Sequence, residues 1–523
     1  MKKVDLKIFS IEDIKKVSLA NIPFFILIII VIFLCFINSI NGEFVSDDIP
    51  GILNNPIVIN FPQALATLQI YTILQSTIFN IFGPNQAAYH TVSIFLHIIN
   101  VYLFFLIVYN IFDKKIAAIA STIFAIHPLV SETVIWISAT NYLINTFFLF
   151  VCTLLFLFFK KTGRKKYFII LSILYIIVCL TFKNPWVLIV PFFLAGLNFF
   201  ILGESIKKIK NYYIFAPIFL IALGAFIYIG RSTVSQRVAS LISPEATPYL
   251  NRLPYTFYMP AELILYPKNL SLYHEGEMIT KFKYNFMAVV FFFIIISIIY
   301  FLKKHPESKV GGLIILSYIS ILPVFSPIQV AWFFADRYMY VAIGLFGIIL
   351  AKFILYIDKI FPKKNMIIIL LSVITIIYCS RTIIRTGDWK TRKKLWLATE
   401  KVAPYSQRVH NNLGDVYGVE RDWEKSLQHF AFALKIDPNY TDAMHNMANT
   451  FLNMGDLDNA EKLYKRSVEI TPGLYQSYYK LGVIYLARNM PDQAKLFFNK
   501  TLELQPNFTP ATQALQTLQQ KTQ

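Results

Sequence analysis

Charge is scarce in this chain. Of its 523 residues only 15% are Asp, Glu, Lys or Arg, while 56% are hydrophobic and 16% aromatic. A soluble globular protein carries about a quarter of its residues as charge, so the composition points to a polytopic membrane protein. Cysteine is scarcer still. The four present, Cys35, Cys152, Cys179 and Cys379, all lie in apolar runs, which gives neither a disulfide framework nor a metal cluster. No P-loop, Gly-rich nucleotide motif, metal-spaced His/Cys set or Ser-His-Asp order is present.

The charge that does exist is mostly positive, a formal net +19, and it is clustered. Lys and Arg concentrate in Met1–Lys16, Lys114–Lys115, Lys160–Lys166, Lys207–Lys210, Lys303–Lys309 and Lys352–Lys364. These clusters fall at every second gap between apolar runs, which is the positive-inside pattern of cytoplasmic loops. They are accounted for without nucleic acid as a partner. The apolar runs give eleven candidate spans: 21–40, 91–112, 116–130, 140–159, 167–183, 186–202, 212–230, 285–302, 310–326, 338–357 and 366–384. All but 116–130, which is short and ended by Pro128, are near the length that crosses a bilayer core as a helix. The first is longer than a signal-peptide core and lacks a small-residue cleavage site after it. Alternate threading puts the N-terminus inside and everything after residue 385 outside. Residues 41–90 are too amphipathic to span and read as helices in the interface.

After Arg385 the hydrophobic runs end and a repeat begins. Pro404, Pro438, Pro472 and Pro506 are each 34 residues apart. Small residues recur at Gly414, Ala448 and Gly482, and aromatics at Phe430, Tyr464 and Phe498. A 34-residue period with small residues facing aromatics resembles the tetratricopeptide repeat, a helix pair that stacks into a solenoid. The expected organisation is therefore all-α: a membrane helix bundle over 1–384, a lead-in helix within 385–407, and three repeats with a capping helix over 408–523.

Polar residues on the outer side are few. Asp47 and Asp48 follow the first span in a stretch without Lys or Arg, and Ile49-Pro50-Gly51-Ile52-Leu53 keeps them close to lipid. In an extended stretch adjacent side chains point opposite ways, so one acid can face a substrate while its neighbour fixes the loop. The pair is also where a divalent cation, Mg or Mn, would sit, although two carboxylates alone do not establish a metal site. Arg337 and Lys183 lie at outer span ends, where cations are disfavoured. Arg337 either pairs with Asp336 or clamps a phosphate, whose geometry a guanidinium matches bidentately. His127, Glu132, His90 and Asp336 complete the candidates for substrate contact. With no nucleotide site, an activated donor would be lipid-borne.

Three segments carry a family resemblance: Phe44-Val45-Ser46-Asp47-Asp48, Ala125-Ile126-His127-Pro128 followed by Glu132-Thr133-Val134-Ile135-Trp136, and Ala335-Asp336-Arg337-Tyr338-Met339-Tyr340. Together with Arg385-Thr386-Gly387-Asp388-Trp389 before the repeats, they resemble the TMTC family of transmembrane and tetratricopeptide-repeat O-mannosyltransferases, with a GT-C glycosyltransferase fold. The resemblance implies a sugar moved from a polyprenyl phosphate to a protein hydroxyl on the outer membrane face, with an acidic pair at Asp47-Asp48 and an Arg at Arg337. It also implies a protein acceptor held by the repeats. The family tends to carry an acid after the Lys matching Lys183; here the residue is Asn184. The Ile-, Lys- and Phe-rich composition points to a prokaryotic plasma membrane. Two other readings are a membrane-anchored repeat scaffold without activity, and a lipid-linked oligosaccharide ligase or polymerase working through the loop 231–284.

Overall fold

The computed structural model describes residues 5–8, 10–182, 185–204, 249–272, 274, 281–325, 334–362 and 365–522. Lys183, one of the two cations singled out at span ends, lies outside the described residues, as do the span 212–230 and positions 231–248, 273 and 275–280 of the loop 231–284. Among the described residues every regular element is helical. The chain divides into two units, one up to Lys394 apart from a segment at 274–278, the other of that segment with Leu395–Gln523.

In the membrane unit, each described apolar run is a helix. Six are long and apolar enough to cross a bilayer: Ile22–Ser39, Gln86–Ile111, Ile137–Thr162, Phe282–Lys304, Asp336–Ile360 and Met366–Asp388. The boundaries follow from local chemistry. Asn85 accepts the Ala87 N–H, and Asp113 accepts the Ile116 N–H, each capping the helix that follows. Gly163, at φ 67°, takes the left-handed turn that ends Thr140–Thr162. The helix Lys114–Ile126 sits at the centre of this unit. Gly347 of the helix Tyr340–Ile360 meets it so closely that an added Cβ would stand 2.9 Å from the Ala120 carbonyl oxygen. His97 ties the same region: Nδ1 lies 2.6 Å from the Tyr340 hydroxyl and Nε2 3.0 Å from the Ala125 carbonyl. The amphipathic stretch after the first span forms short helices, Pro56–Ile59, Phe61–Ala66 and Ile70–Phe82, and Phe44, Ile52, Val58, Ile78, Tyr89 and Ile137 pack into one apolar cluster there.

The second unit is the repeat array. Its helix pairs are Gln407–Val419 with Trp423–Ile436, Thr441–Met454 with Leu457–Ile470, and Tyr475–Ala487 with Pro491–Leu504, followed by Thr509–Thr522. Asp422 and Asp456 cap the second helices of the first two pairs. The small-against-aromatic pattern has a direct steric cause: a Cβ on Gly414 would fall 2.7 Å from the Phe430 ring. Phe430, Tyr464 and Phe498 are almost fully buried.

Candidate functional site

The site grows from the loop after the first span. Phe44 and Val45 are buried and hold the loop down, with the Phe44 ring 5.5 Å from Tyr89. Ser46 takes a positive φ of 51°, an uncommon conformation for a residue with a Cβ, and turns the chain so that the two acids part. Asp48 goes inward and is 1% exposed. Its Oδ1 accepts the Ser138 N–H at 2.8 Å and the Ser138 hydroxyl at 2.5 Å, and its Oδ2 accepts the Val45 N–H at 3.1 Å. Asp47 stays exposed. The two acids thus have different tasks: Asp48 staples the loop to the turn before the helix Thr140–Thr162, and Asp47 is presented.

Burial pushes Asp48 up to about 7, against the pull of its three donors. Asp47 is also raised, first by the apolar mass around it and in spite of its exposure. The Arg337 guanidinium and the Ser46 hydroxyl oppose that rise. The electrostatic reach of Arg337 onto Asp47 brings together two residues that are 290 positions apart in the chain.

Arg337 does not pair with Asp336. Its Nη1 lies 2.5 Å from Glu132 Oε1, both side chains being almost fully buried. Asp336 turns away and accepts the Ser271 N–H at 3.1 Å. The guanidinium is surrounded by aromatic faces, with Trp136, Tyr338 and Tyr142 at 4.9, 5.1 and 6.0 Å. Arg337 also forms part of the wall of a cavity, together with Tyr142, Asn145, Trp186, Ser320 and Tyr338. The side-chain amide of Asn145 has no hydrogen-bond partner among the described residues. Burial raises the Glu132 carboxyl, and the Arg337 charge opposes that rise.

Arg385 is a functional candidate missing from the sequence-derived set. It is 1% exposed, pairs with Asp388 at 3.3 Å, stacks 5.6 Å from Trp389, and adds a second positive charge acting on Glu132. Its Nε and Nη2, with the indole N–H groups of Trp136 and Trp389 and Oε2 of Glu132, are buried without hydrogen-bond partners. The two indoles lie 6.0 Å apart. The signal available in the sequence was the same one that exposed Arg337: a cation at the outer end of a span.

The two candidate histidines are both buried. His127 is buried, with Nε2 3.1 Å from the Ile264 carbonyl and Nδ1 accepting the Leu129 N–H at 3.3 Å. His90 is buried against the backbone of Gly42 and Ile135. Both ring nitrogens of His127 are thus engaged, whereas those of His90 are buried without a hydrogen-bond partner among the described residues.

A family model described as dolichyl-phosphate-mannose-protein mannosyltransferase matches residues 70–229, and a tetratricopeptide-repeat model matches residues 440–507. Among curated proteins, the protein O-mannosyl-transferase F38B6.6 of Caenorhabditis elegans is 25% identical over 77% of this chain and 61% of its own length. The protein O-mannosyl-transferase TMTC3 is 20% identical in Mus musculus and 22% in Homo sapiens, over 92% of this chain in both and over 64% and 58% of their own lengths. The chain thus spans about three-fifths of the length of the curated relatives it matches. With both family models in the expected order and these relatives along most of its length, the chain is an integral membrane protein similar to the TMTC-type O-mannosyl-transferases, a membrane helix unit followed by tetratricopeptide repeats.

Proposed function

We propose that the membrane unit is an inverting glycosyltransferase. It moves a sugar, mannose or another hexose, from a polyprenyl-phosphate donor to a Ser or Thr hydroxyl of a protein on the outer membrane face. The observation that carries this reading is a buried Arg337, held by Glu132 and lining a cavity, whose charge is felt at an exposed Asp47. The relatives' O-mannosyl-transferase names support the same reaction class.

In this mechanism Asp47 takes the proton of the acceptor hydroxyl as the oxygen attacks the anomeric carbon. A carboxyl raised above its ordinary value is the better base near neutral pH. The bond from the anomeric carbon to the phosphate oxygen breaks in an oxocarbenium-like transition state. The polyprenyl phosphate departs with the electron pair, and a phosphate needs no general acid. Arg337 stabilises the charge that develops there. Its hold on Glu132 fixes the guanidinium, as bidentate recognition of phosphate requires. Asn145 offers an amide to a sugar hydroxyl. One displacement inverts the anomeric centre.

No step is routed through a divalent cation, because the acids of the site do not fit one. Asp48 has both oxygens engaged by N–H and O–H donors, and Glu132 faces a guanidinium. A cation would have to displace those groups.

The test is sugar transfer by the purified protein from a panel of polyprenyl-phosphate sugars. Asp47→Asn should lower transfer by about 10²–10⁴-fold with insertion intact, the usual share of a positioned base. Arg337→Ala should weaken donor use. Undiminished transfer by Asp47→Asn sinks the assignment of Asp47 as the base; no transfer by the wild type from any donor of the panel leaves the repeat scaffold as the better reading.

A further inference from the structure

The repeat unit brings together a set of side chains that no part of the transfer reaction uses. Glu400 lies on the helix Arg392–Val402, His410 on Gln407–Val419 and His429 on Trp423–Ile436. Ten and nineteen residues separate them along the chain, which is no ligand spacing that a sequence search would detect. In space one ligand atom from each falls within 4.8 Å of the others.

Hydrogen bonding fixes the proton on the central ring. His410 is buried, and its Nε2 lies 2.9 Å from the Pro404 carbonyl oxygen. A carbonyl can only accept, so Nε2 carries the proton and, in the neutral ring, Nδ1 keeps its lone pair. This is the arrangement of ligating histidines, whose second ring nitrogen is commonly held by a backbone carbonyl. Nδ1 of His410 then faces Nδ1 of His429 at 3.0 Å and Oε1 of Glu400 at 3.7 Å. Two acceptors that close, a ring lone pair and a carboxylate, need either a shared N–H donor or a cation between them. The rings are held in place: His429 stacks on Tyr417 at 5.3 Å, and His410 packs on Phe432 at 4.4 Å. His429 and Glu400 are each half-buried, which leaves the cluster open to solvent on one side.

We propose that Glu400, His410 and His429 form a binding site for a single divalent transition-metal ion of the Zn(II) class, with water in the fourth position. Two ligands of a tetrahedral Zn(II) stand about 3.4 Å apart, given metal–ligand distances of about 2.0–2.2 Å. The observed 3.0 and 3.7 Å lie on either side of that value. Binding therefore needs a small opening of the two rings and an approach of the carboxylate, whose separation from the His429 ring is bounded at 4.8 Å. Two imidazoles and one carboxylate favour Zn(II) over Mg(II) or Ca(II), which take oxygen ligands. An ion there would clamp the lead-in helix to both helices of the first repeat, reinforcing the end of an array of three repeats.

The experiment uses the full chain in detergent, freed of any polyhistidine tag, stripped with chelator, and titrated with Co(II) as a spectroscopic stand-in and then with Zn(II). The expected result is one Co(II) per chain with the visible bands of a low-coordinate nitrogen–oxygen site, displaced by Zn(II). His429→Ala and Glu400→Gln should each weaken binding by at least about tenfold, no less than the loss of a supporting group costs a metal site. No stoichiometric binding by the wild type would mean a hydrogen-bonded histidine pair alone and overturns the proposal. Equal binding by wild type and both variants also overturns it, because the ion then sits elsewhere. Glu400 lies at the surface, so Glu400→Gln keeps the fold and decides the matter if His429→Ala does not express.

Discussion

Asp47 and Asp48 are neighbours in sequence with opposite environments, and that contrast is what turns an acidic pair into a candidate site. Asp48 is buried among donors and Asp47 is presented. The pH behaviour of Asp48 gives a check on this division. Its carboxyl is held at about 7 in the fold against 3.8 for an ordinary Asp. A raised acid binds its proton more tightly in the folded state, so the folded state holds more protons than the unfolded state between those values. Its contribution to stability is therefore fully present below about 3.8 and is lost as pH rises through about 7. Thermal stability of the purified protein should decline across that window, and Asp48→Asn should flatten the decline. An identical slope in the variant would remove Asp48 as its cause. The presence of the pair was legible from its placement after an apolar run with no cation nearby. The partner of Arg337 was not: Glu132 is 205 positions away, and nothing local marks a contact of that separation. Asp336, next in the chain, was the nearer guess, but its carboxylate is engaged by the Ser271 backbone.

At the scale of elements, the two units were legible for different reasons. Membrane helices declare themselves by length and apolarity alone, and every described run is helical. The repeats declare themselves by period, because each helix pair has to reproduce the same small-against-aromatic contact. Gly414 makes that contact testable. An added Cβ lies 2.7 Å from the Phe430 ring, and Phe430 is itself 1% exposed, so the ring has little room to yield. Gly414→Ala should cost about 1–3 kcal/mol, the usual penalty for overpacking. Limited proteolysis of the full chain should show it as faster cleavage within the first repeat. The substitution to make alongside it is Gly473→Ala, where an added Cβ meets nothing within 4 Å. Equal protection of the two variants would refute the close-packing account. What the period could not supply was side-chain convergence between elements. The Glu400, His410 and His429 cluster joins three helices, one of them before the repeats begin, so it falls outside any repeat consensus.

For the molecule as a whole, we propose an arrangement across the membrane that rests on charge and parity alone. The basic clusters put the N-terminal segment and the loops at Lys114, Lys160–Lys166 and Lys303–Lys309 on one side. One crossing by the first span then places Asp47 on the other. The repeats share the side of Asp47 only if the number of crossings is odd, as eleven is. That makes the location of the repeats a separate question from the location of the site, and one labelling experiment answers both. Single cysteines are introduced at the exposed positions Asn54, Lys165 and Asn439, in a chain whose own four cysteines are replaced. In intact cells an impermeant maleimide should label Asn54→Cys and Asn439→Cys and should reach Lys165→Cys only after lysis. Labelling at position 54 without 439 would keep the outer site and make the number of crossings even, so the repeats could not hold an acceptor for it. Labelling at 165 alone would reverse the whole threading. The proposed transfer would then lose its reason for a lipid-borne donor, since nucleotide-activated sugars are made on the cytoplasmic side.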